Sequence, residues 1–569
     1  MKILSLHCDY IKFKPLKKAL REPEELTEER KKEILVEQPL VIMTAIEKQD
    51  ESNPEAVNQL VKEIIDIAKQ VNADKIVLYP YAHLSTSLSK PDFAQKSLEQ
   101  AEKELEKKKY KIVRAPFGYY KEFELKCKGH PLSELSREIH FSGEHQGEGE
   151  TGESDSKQLL KEISKSKLDT SKLKDNDHRI LGKQMDLFSF SETAPGMVFW
   201  HNSGLIIYNE LIKFWREEHK KAGYQEIKTP QILDKKLWQI SGHWDKYKEN
   251  IFLTDYEKRT FAIKPMNCPG GILIYKNSPK SYKDLPLKIG ELGEVHRQEL
   301  SGVLAGLFRV IQFTQDDAHI YCTEKQLEKE LIKIIDLTDK FYKIFNLSYR
   351  AELSTRPEKR IGSDAIWDKA ESILEKVLKK KKIMFKINKG DGAFYGPKID
   401  FHVKDSLNRE WQCGTIQLDF AMPERFDLNY NDEKDNKKRP VMIHRTIYGS
   451  LERFIGILLE HTKGHLPLWL APIQARVINF TDRNNKACEN LLEELKKEGI
   501  RTDIDLKTEP LGGKIKQAEM EKIPLIIVIG DKEEKEGQVA LRRNGKVNSL
   551  KKQDFLNQIK KEIEERVLD

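Results

Sequence analysis

The chain has 569 residues, 34% of them charged and 38% hydrophobic. At roughly 150 residues per domain, that length holds several domains, which excludes a disulfide-stapled miniprotein, while the hydrophobic share excludes global disorder. Lys and Arg number 99 against 92 Asp and Glu, and the resulting net +7 permits a nucleic-acid partner without proving one. The six cysteines, Cys8, Cys127, Cys268, Cys322, Cys413 and Cys488, form no CxxC and are too sparse for a disulfide framework. No apolar run approaches the ~18 residues of a membrane span, and the start reaches His7, Cys8 and Asp9 before a signal peptide could build its apolar stretch. These features read as a cytoplasmic protein without membrane insertion.

In chain order, apolar runs at Lys2 to Leu6, Leu40 to Ile46, Lys75 to Tyr79 and Lys111 to Ala115 predict strands, and Pro54 to Val71 and Pro91 to Lys109 predict helices. Val57, Leu60, Val61, Ile64, Ile65 and Ile67 give the first helix its core-facing stripe. This is an α/β domain over 1–145. A stretch dominated by Gly, Glu, Ser, Lys and Asp follows, a charged linker over 146–176. Residues 177–465 are richer in short strands and in Trp, Tyr and His. There a helix over Gly204 to Ala222 ends at Gly223 and is followed by a strand over Tyr224 to Thr229 and then Pro230. Residues 466–569 return to an α/β pattern, with strands at Ala475 to Phe480, Arg501 to Leu506, Leu525 to Ile529 and Val539 to Arg542. Their helices are Asn485 to Lys497, Lys514 to Lys522 and a last one from Gln553.

Two strings in the middle segment carry chemistry. The first runs from Gly290 to Glu299, continues over Ser301 to Arg309 and ends at Phe313 to His319. Two predicted strands flank a loop holding Arg297, Glu299 and Arg309, which can offer guanidiniums to a polyphosphate and a carboxylate to a base. Arginines beside glutamates are more often surface ion pairs. The second string, Ile443 to Phe454, opens a helix one turn before Arg453. The chain has no GxxxxGK[ST], since Leu511-Gly-Gly-Lys514-Ile lacks the distal Gly and the hydroxyl, and no GxGxxG.

Arg297 to Glu299 resembles motif 2 of class II aminoacyl-tRNA synthetases, Gly449 to Arg453 resembles motif 3, and the helix and strand ending at Pro230 resemble motif 1. Four finer strings are similar to the threonyl-tRNA synthetase family: Lys264-Pro-Met-Asn-Cys268-Pro-Gly, Gln315-Asp-Asp-Ala-His319, Phe394-Tyr395-Gly-Pro-Lys398-Ile-Asp400 and Trp411-Gln412-Cys-Gly-Thr415-Ile-Gln417. The resemblance implies a seven-stranded antiparallel sheet in a multidomain α/β and α+β chain, with ATP and Mg²⁺ bent across the sheet. Arg297 would hold the α-phosphate, Arg309 the γ-phosphate, Glu299 the adenine edge, and Phe313 and Arg453 its faces, with Gln412 and Thr415 also at the nucleotide. Asp317 would take the threonine ammonium with Tyr395, in a pocket completed by Gln315, Lys398, Gln412 and Gln417.

Cys268, His319 and His444 match the zinc ligands of that family, although their spacing alone would never nominate them. Three protein ligands leave a zinc position open, here for the amino and hydroxyl groups of threonine. Valine lacks the hydroxyl, whereas serine lacks only a methyl, a difference of about 1 to 3 kcal/mol that lets serine leak through. A second, hydrolytic site is therefore expected.

Residues 1–145 resemble the archaeal editing domain, which has the D-aminoacyl-tRNA deacylase fold, through His7 to Tyr10, Tyr79 to Leu84, Ala115 to Lys121 and Gly129 to Glu134. The bacterial HxxxH is missing, His140 and His145 being five apart. The match assigns Lys121 the principal catalytic role, aided by His83, Tyr120 and Glu134. Read without it, Tyr120 is an edge-strand aromatic and Lys121 a solvated lysine. The C-terminal segment resembles the class IIa anticodon-binding domain, with Glu533 and Arg542 on strands at anticodon bases and Lys516 as a further basic contact, or with Arg542 and Arg543 as a plain basic strand end. The implied partners are tRNA(Thr), ATP, threonine and a second copy of the chain, the last through apolar Ile206, Ile207, Leu211, Phe214 and Trp215. The competing reading is a catalytically silent or altered-specificity paralogue that acts as an RNA-binding protein. Loss of a motif arginine or a ligand would favour it, and none is lost.

Overall fold

The computed structural model describes residues 1–20, 23–85, 87–130, 132–139 and 173–566. Most of the expected linker, together with Pro131, His140 and His145, lies outside the described residues. The chain divides into two compact units, Met1–Gly152 and Glu153–Asp569.

The first unit is built on β1 (Lys2–Lys18), which runs far beyond the predicted Leu6 because its inward positions stay apolar through Ile11 and Phe13. Around it lie β2 (Ile34–Glu37), β3 (Leu40–Ala45), α1 (Ala56–Gln70), β4 (Lys75–Pro80), α2 (Pro91–Lys107), β5 (Lys111–Arg114), β6 (Tyr119–Cys127) and β7 (Glu134–Glu138). The order is β2-β1-β3-β4-β5, with β6 and β7 also paired to β1. Strands β3, β4 and β5 are parallel, and α1 and α2 are the crossovers that such pairing requires. The α1 stripe is buried at Val57, Leu60, Val61, Ile64 and Ile67.

The second unit opens with a short helix, His178–Gln184, ahead of α3 (Asn202–Lys221), which stops at Gly223 with φ +78°. The predicted strand after it shrinks to β8 (Gln225–Glu226). Then come α4 (Cys268–Lys276), β9 (Leu287–His296), β10 (Gln312–Cys322), β11 (Ser348–Ser354), β12 (Phe385–Asn388), β13 (Lys398–Lys404), β14 (Glu410–Asp419), β15 (Val441–Thr446) and α5 (Leu451–Thr462). The sheet has eight strands in the order β8-β9-β10-β15-β14-β13-β11-β12, not the expected seven. The six inner strands pair antiparallel, and the two end strands, β8 and β12, are added parallel. The dimer argument drawn from α3 is corrected: Ile207, Leu211, Phe214 and Trp215 are each at most 1% exposed, so that face packs into the protomer's own core.

Past residue 473 lie β16 (Ala475–Asn479), α6 (Asn485–Lys497), β17 (Thr502–Asp505), α7 (Leu511–Met520), β18 (Leu525–Ile529), a short helix Asp531–Glu536, β19 (Gln538–Arg543), β20 (Lys546–Lys551) and α8 (Lys552–Glu565). Helix α7 starts a turn earlier than predicted. Arg501 reaches back to Glu210 at 3.1 Å, and Arg566 pairs with Glu217 at 2.5 Å while lying over Phe214. Among the described residues no helix is long and apolar enough to cross a membrane.

Candidate active site

Strand periodicity builds one wall of the site. Phe313, Gln315 and Asp317 on β10 recur every second residue and face a cavity of about 520 Å³, as do Cys413, Thr415 and Gln417 on β14. The loop after β9 brings Arg297, Glu299 and Arg309, the segment before β13 brings Tyr395 and Lys398, and the start of α5 brings Arg453. Gln412, Cys268 and His444 complete the nominated lining. Every nominated residue of the catalytic segment except His319 thus lines one cavity, and His319 stands behind Cys268 and His444.

The antiparallel register sets His319 directly opposite His444 and Gln417 opposite His444 on its other side. Cys268 arrives on the first turn of α4. One ligand atom from each of Cys268, His319 and His444 lies within 4.8 Å of the other two, and all three side chains are buried. The imidazole rings meet edge to face at 4.9 Å. Burial, reinforced by His444 and Arg445 and opposed by Asp317, pushes the His319 pKa down to about 4, which keeps the ring neutral and able to ligate. His319 Nε2 has no hydrogen-bond partner, an orphaned buried atom that ordinarily needs an explanation. Two imidazoles and a thiol are a zinc donor set, so the residues fit the ion. His444 Nε2 lies 2.8 Å from Asp419 Oδ2, the outer partner that usually orients a ligand histidine and that sequence reading could not name. Burial, with Asp317 and Asp419 adding to it, pushes the Cys268 thiol well above its usual range, so holding it as a thiolate calls for a nearby cation.

The arginines are each held in place. Arg297 Nε donates to Pro265 O at 3.2 Å, and its guanidinium lies 5.0 Å from the Phe313 ring centre. Arg453 Nε donates to Phe308 O at 2.9 Å. Arg309 donates to Glu299 Oε2 at 2.8 Å, so the two groups assigned to opposite ends of ATP are bonded to each other. Asp400, 1% exposed, gathers Lys398 Nζ at 2.8 Å, Gln412 Nε2 at 2.7 Å and Ser354 Oγ at 2.7 Å. Tyr395 donates its hydroxyl to Gln417, and Asn267 Nδ2 reaches Asp317 Oδ2 at 3.3 Å.

Two buried carboxyls lock the motifs together. Asp316 accepts from the Ile447 and Gly449 N–H groups at 2.9 and 3.0 Å, and burial pushes its pKa up to about 6. Gly449 has φ +83°, and a Cβ there would lie 2.5 Å from Cys413 O, so the turn needs glycine. Glu452 accepts from Thr314 N at 3.0 Å, with its pKa pushed to about 8 by burial. Sequence reading missed both carboxyls, together with Tyr247, Met266, Phe308 and Thr446 in the lining. Met266, Phe308 and Thr446 sit inside strings already singled out, whereas Tyr247 carried no signal beyond being aromatic.

The first unit's nominated residues do not converge in the same way. Lys121, paired across from Pro15, donates to Pro116 O at 2.9 Å and lies 5.1 Å from the Tyr79 ring centre. Burial pushes its pKa down to about 8, with Glu24 opposing. Tyr79, Tyr81 and His83 follow as successive ring contacts at 6.4 and 5.4 Å, which links Lys121 to exposed His83. Tyr120 is 65% exposed, on the opposite face of β6 from Lys121. Glu134 pairs with Leu6, nine positions along β1 from Pro15, a contour of about 30 Å. In the second unit, Glu533 lies in the helix Asp531–Glu536 rather than on a strand, with Oε2 accepting from Gly530 N at 3.1 Å. Arg542 is on β19 and pairs with Glu519 at 2.9 Å, Arg543 pairs with Glu562 at 2.6 Å, and Lys516 is exposed on α7.

Comparison with known proteins follows these divisions. Profiles match for the archaea-specific editing domain of threonyl-tRNA synthetase over residues 1–139, the class II tRNA synthetase core domain (G, H, P, S and T) over 247–462 and the anticodon-binding domain over 474–562. The solved RNA binding domain of threonyl-tRNA synthetase from Cryptosporidium parvum Iowa II is 39% identical, with a TM-score of 0.66, over 68% of this chain and 98% of that one. The chain belongs to the threonyl-tRNA synthetase family. The threonine–tRNA ligases of Clostridium botulinum (strain Loch Maree / Type A3) and Natranaerobius thermophilus are 55% and 52% identical over 392 and 394 residues. These matches cover 68% and 69% of this chain, which spans 62% of the length of each relative. In this threonyl-tRNA synthetase family member, Arg297, Arg309 and Arg453 share one cavity with Cys268 and His444.

Proposed function

We propose that the chain is a threonine–tRNA ligase that activates threonine with ATP and Mg²⁺, transfers it to tRNA(Thr) and clears seryl-tRNA(Thr) in its first unit. The observation that carries the reading is the meeting, in one cavity, of Arg297, Arg309 and Arg453 with Cys268 and His444, backed by His319. Adenylate formation concentrates negative charge on the α-phosphate, and Arg297 and Arg453, already fixed by backbone carbonyls, stabilise that charge with little reorganisation. Bound nucleotide replaces the Arg309–Glu299 pair, with the guanidinium turning to phosphate and the carboxylate to the base.

Cys268, His319 and His444 would hold zinc, which supplies a Lewis-acidic position for the amino and hydroxyl groups of threonine. Asp317, steadied by Asn267, takes the ammonium, and Tyr395 and Gln417 close the pocket around the side chain. Nothing in this arrangement rejects serine by more than one methyl's worth of packing, so correction falls to the first unit and Lys121. Glu533, Arg542 and Lys516 contact the anticodon. Self-association uses surface other than the buried face of α3. The test is charging of tRNA(Thr) transcript by the full chain with threonine and with serine, followed by release from pre-formed seryl-tRNA(Thr). Stable threonyl-tRNA and short-lived seryl-tRNA support the reading, and failure to charge threonine ends it.

A further inference from the structure

Behind the cavity wall, Asp177, His178 and Glu460 form a second group whose ligand atoms lie within 4.8 Å of one another. Its hydrogen bonds are already complete. His178 Nε2 accepts from the Leu307 backbone N–H at 3.0 Å, so the ring proton sits on Nδ1, which donates to Glu460 Oε1 at 2.6 Å. The same oxygen accepts from the His178 backbone N–H at 3.0 Å. A metal ion would have to displace a bond that a buried group needs, so the group reads as a brace.

What it braces is the loop between Arg297 and Arg309. The Phe308 ring lies 4.2 Å from the His178 ring and is stacked at 4.1 Å on Trp411, while Phe308 O holds Arg453 Nε. Trp411 Nε1 donates to Asp405 Oδ2 at 3.0 Å, Asp405 binds Arg409 Nε at 2.8 Å, and Arg409 reaches Glu460. The contacts therefore close a circuit from His178 through Phe308, Trp411, Asp405, Arg409 and Glu460 back to His178. The fit is close: a Cβ on Gly306, where φ is +54°, would lie 2.3 Å from His178 Nε2, and one on Gly456 would lie 3.0 Å from Phe308. Phe308 lines the cavity, whereas His178 is 1% exposed and lies outside its lining.

We propose that His178 is a positioning residue for the nucleotide. Through the Leu307 N–H and the Phe308 ring it holds the loop in the one shape that points the Phe308 carbonyl at Arg453 and sets Arg309 at the cavity mouth. The proposal rests on reading this cavity as the ATP site. A loop released from such a contact regains conformations that bound ATP must then reorder.

The test measures Mg·ATP affinity, threonine affinity and zinc content of the full chain. His178→Phe keeps a ring against Phe308 and removes the acceptor. ATP binding weakens about tenfold, in line with one buried N–H left without a partner, while threonine affinity and zinc content stay at wild-type values. Glu460→Gln, which keeps an acceptor for Nδ1–H but removes the charge, weakens ATP about threefold in the same selective way. If His178→Phe does not fold, Glu460→Gln decides alone. Unchanged ATP affinity, or equal losses of ATP, threonine and zinc, overturns the proposal. A wild-type chain that binds no Mg·ATP overturns the reading of the cavity together with this inference, whereas a wild type that binds beside variants that bind equally well removes only the inference.

Discussion

The second unit's cavity and the first unit's Lys121 surface differ in how their residues are held. In the cavity, sheet register and buried carboxyls fix the functional groups: His319 opposite His444, Asp316 under the Gly449 turn, Asp419 on His444. In the first unit, Lys121 is tethered to backbone carbonyls and an aromatic row, while His83 and Tyr120 are exposed and Glu134 lies far along β1. The cavity is therefore largely assembled before any ligand arrives, whereas the groups around Lys121 are left further from a finished arrangement.

The sharpest way to break this contrast is Cys268→Ser. If preassembly includes the metal set, zinc content falls from one to near zero per chain and threonine-dependent pyrophosphate exchange drops by at least about a thousandfold. Metal analysis and exchange on one sample check it. Next in size, Arg453→Ala should lower exchange by about 10² to 10³, as expected for a preorganised donor to transition-state charge, with zinc content intact; a loss below tenfold would mean the arginine is not preorganised toward the phosphate.

Asp419→Asn tests the support behind a ligand. Metal affinity should fall about 10- to 100-fold, read by competition with a chelator, with the overall fold unchanged by circular dichroism. The smallest expected effect concerns the first unit. Burial lowers the Lys121 pKa from 10.5 to about 8, so the folded state binds fewer protons than the unfolded state between those values, and stability rises with pH across that window. Lys121→Met removes that rise from the unit's unfolding transition and lets seryl-tRNA accumulate while threonine charging stays intact. A variant that keeps the full pH slope would place the titration elsewhere.

How much of this was legible in the sequence follows from the same contrast. Two strands flanking the loop that carries Arg297 and Arg309 were expected, and the α1 stripe was read nearly residue for residue because it depends on local periodicity. Asp316, Glu452, Asp419 and His178 stayed hidden because their partners lie between 25 and 282 residues away, and nothing local marks a carboxyl that will be buried. The α3 stripe showed the opposite failure: its apolar residues were visible, but periodicity does not say whether such a face meets another copy or the protomer's own core. The end strand β12 escaped for a simpler reason, being four residues long, while β8 keeps only two residues of the strand expected over Tyr224 to Thr229. The Lys121 surface was nominated by resemblance alone, and Glu134 is where that nomination and the geometry part furthest.

The central claim is that one preassembled cavity joins an ATP site to a metal-dependent threonine pocket. The most direct measurement is amino-acid-dependent pyrophosphate exchange by the full chain with threonine, serine and valine, before and after zinc is stripped and restored. The account predicts strong exchange with threonine, weaker exchange with serine and none with valine, all lost with zinc and recovered on its return. Full threonine-dependent exchange in a zinc-free preparation that still rejects valine would contradict it.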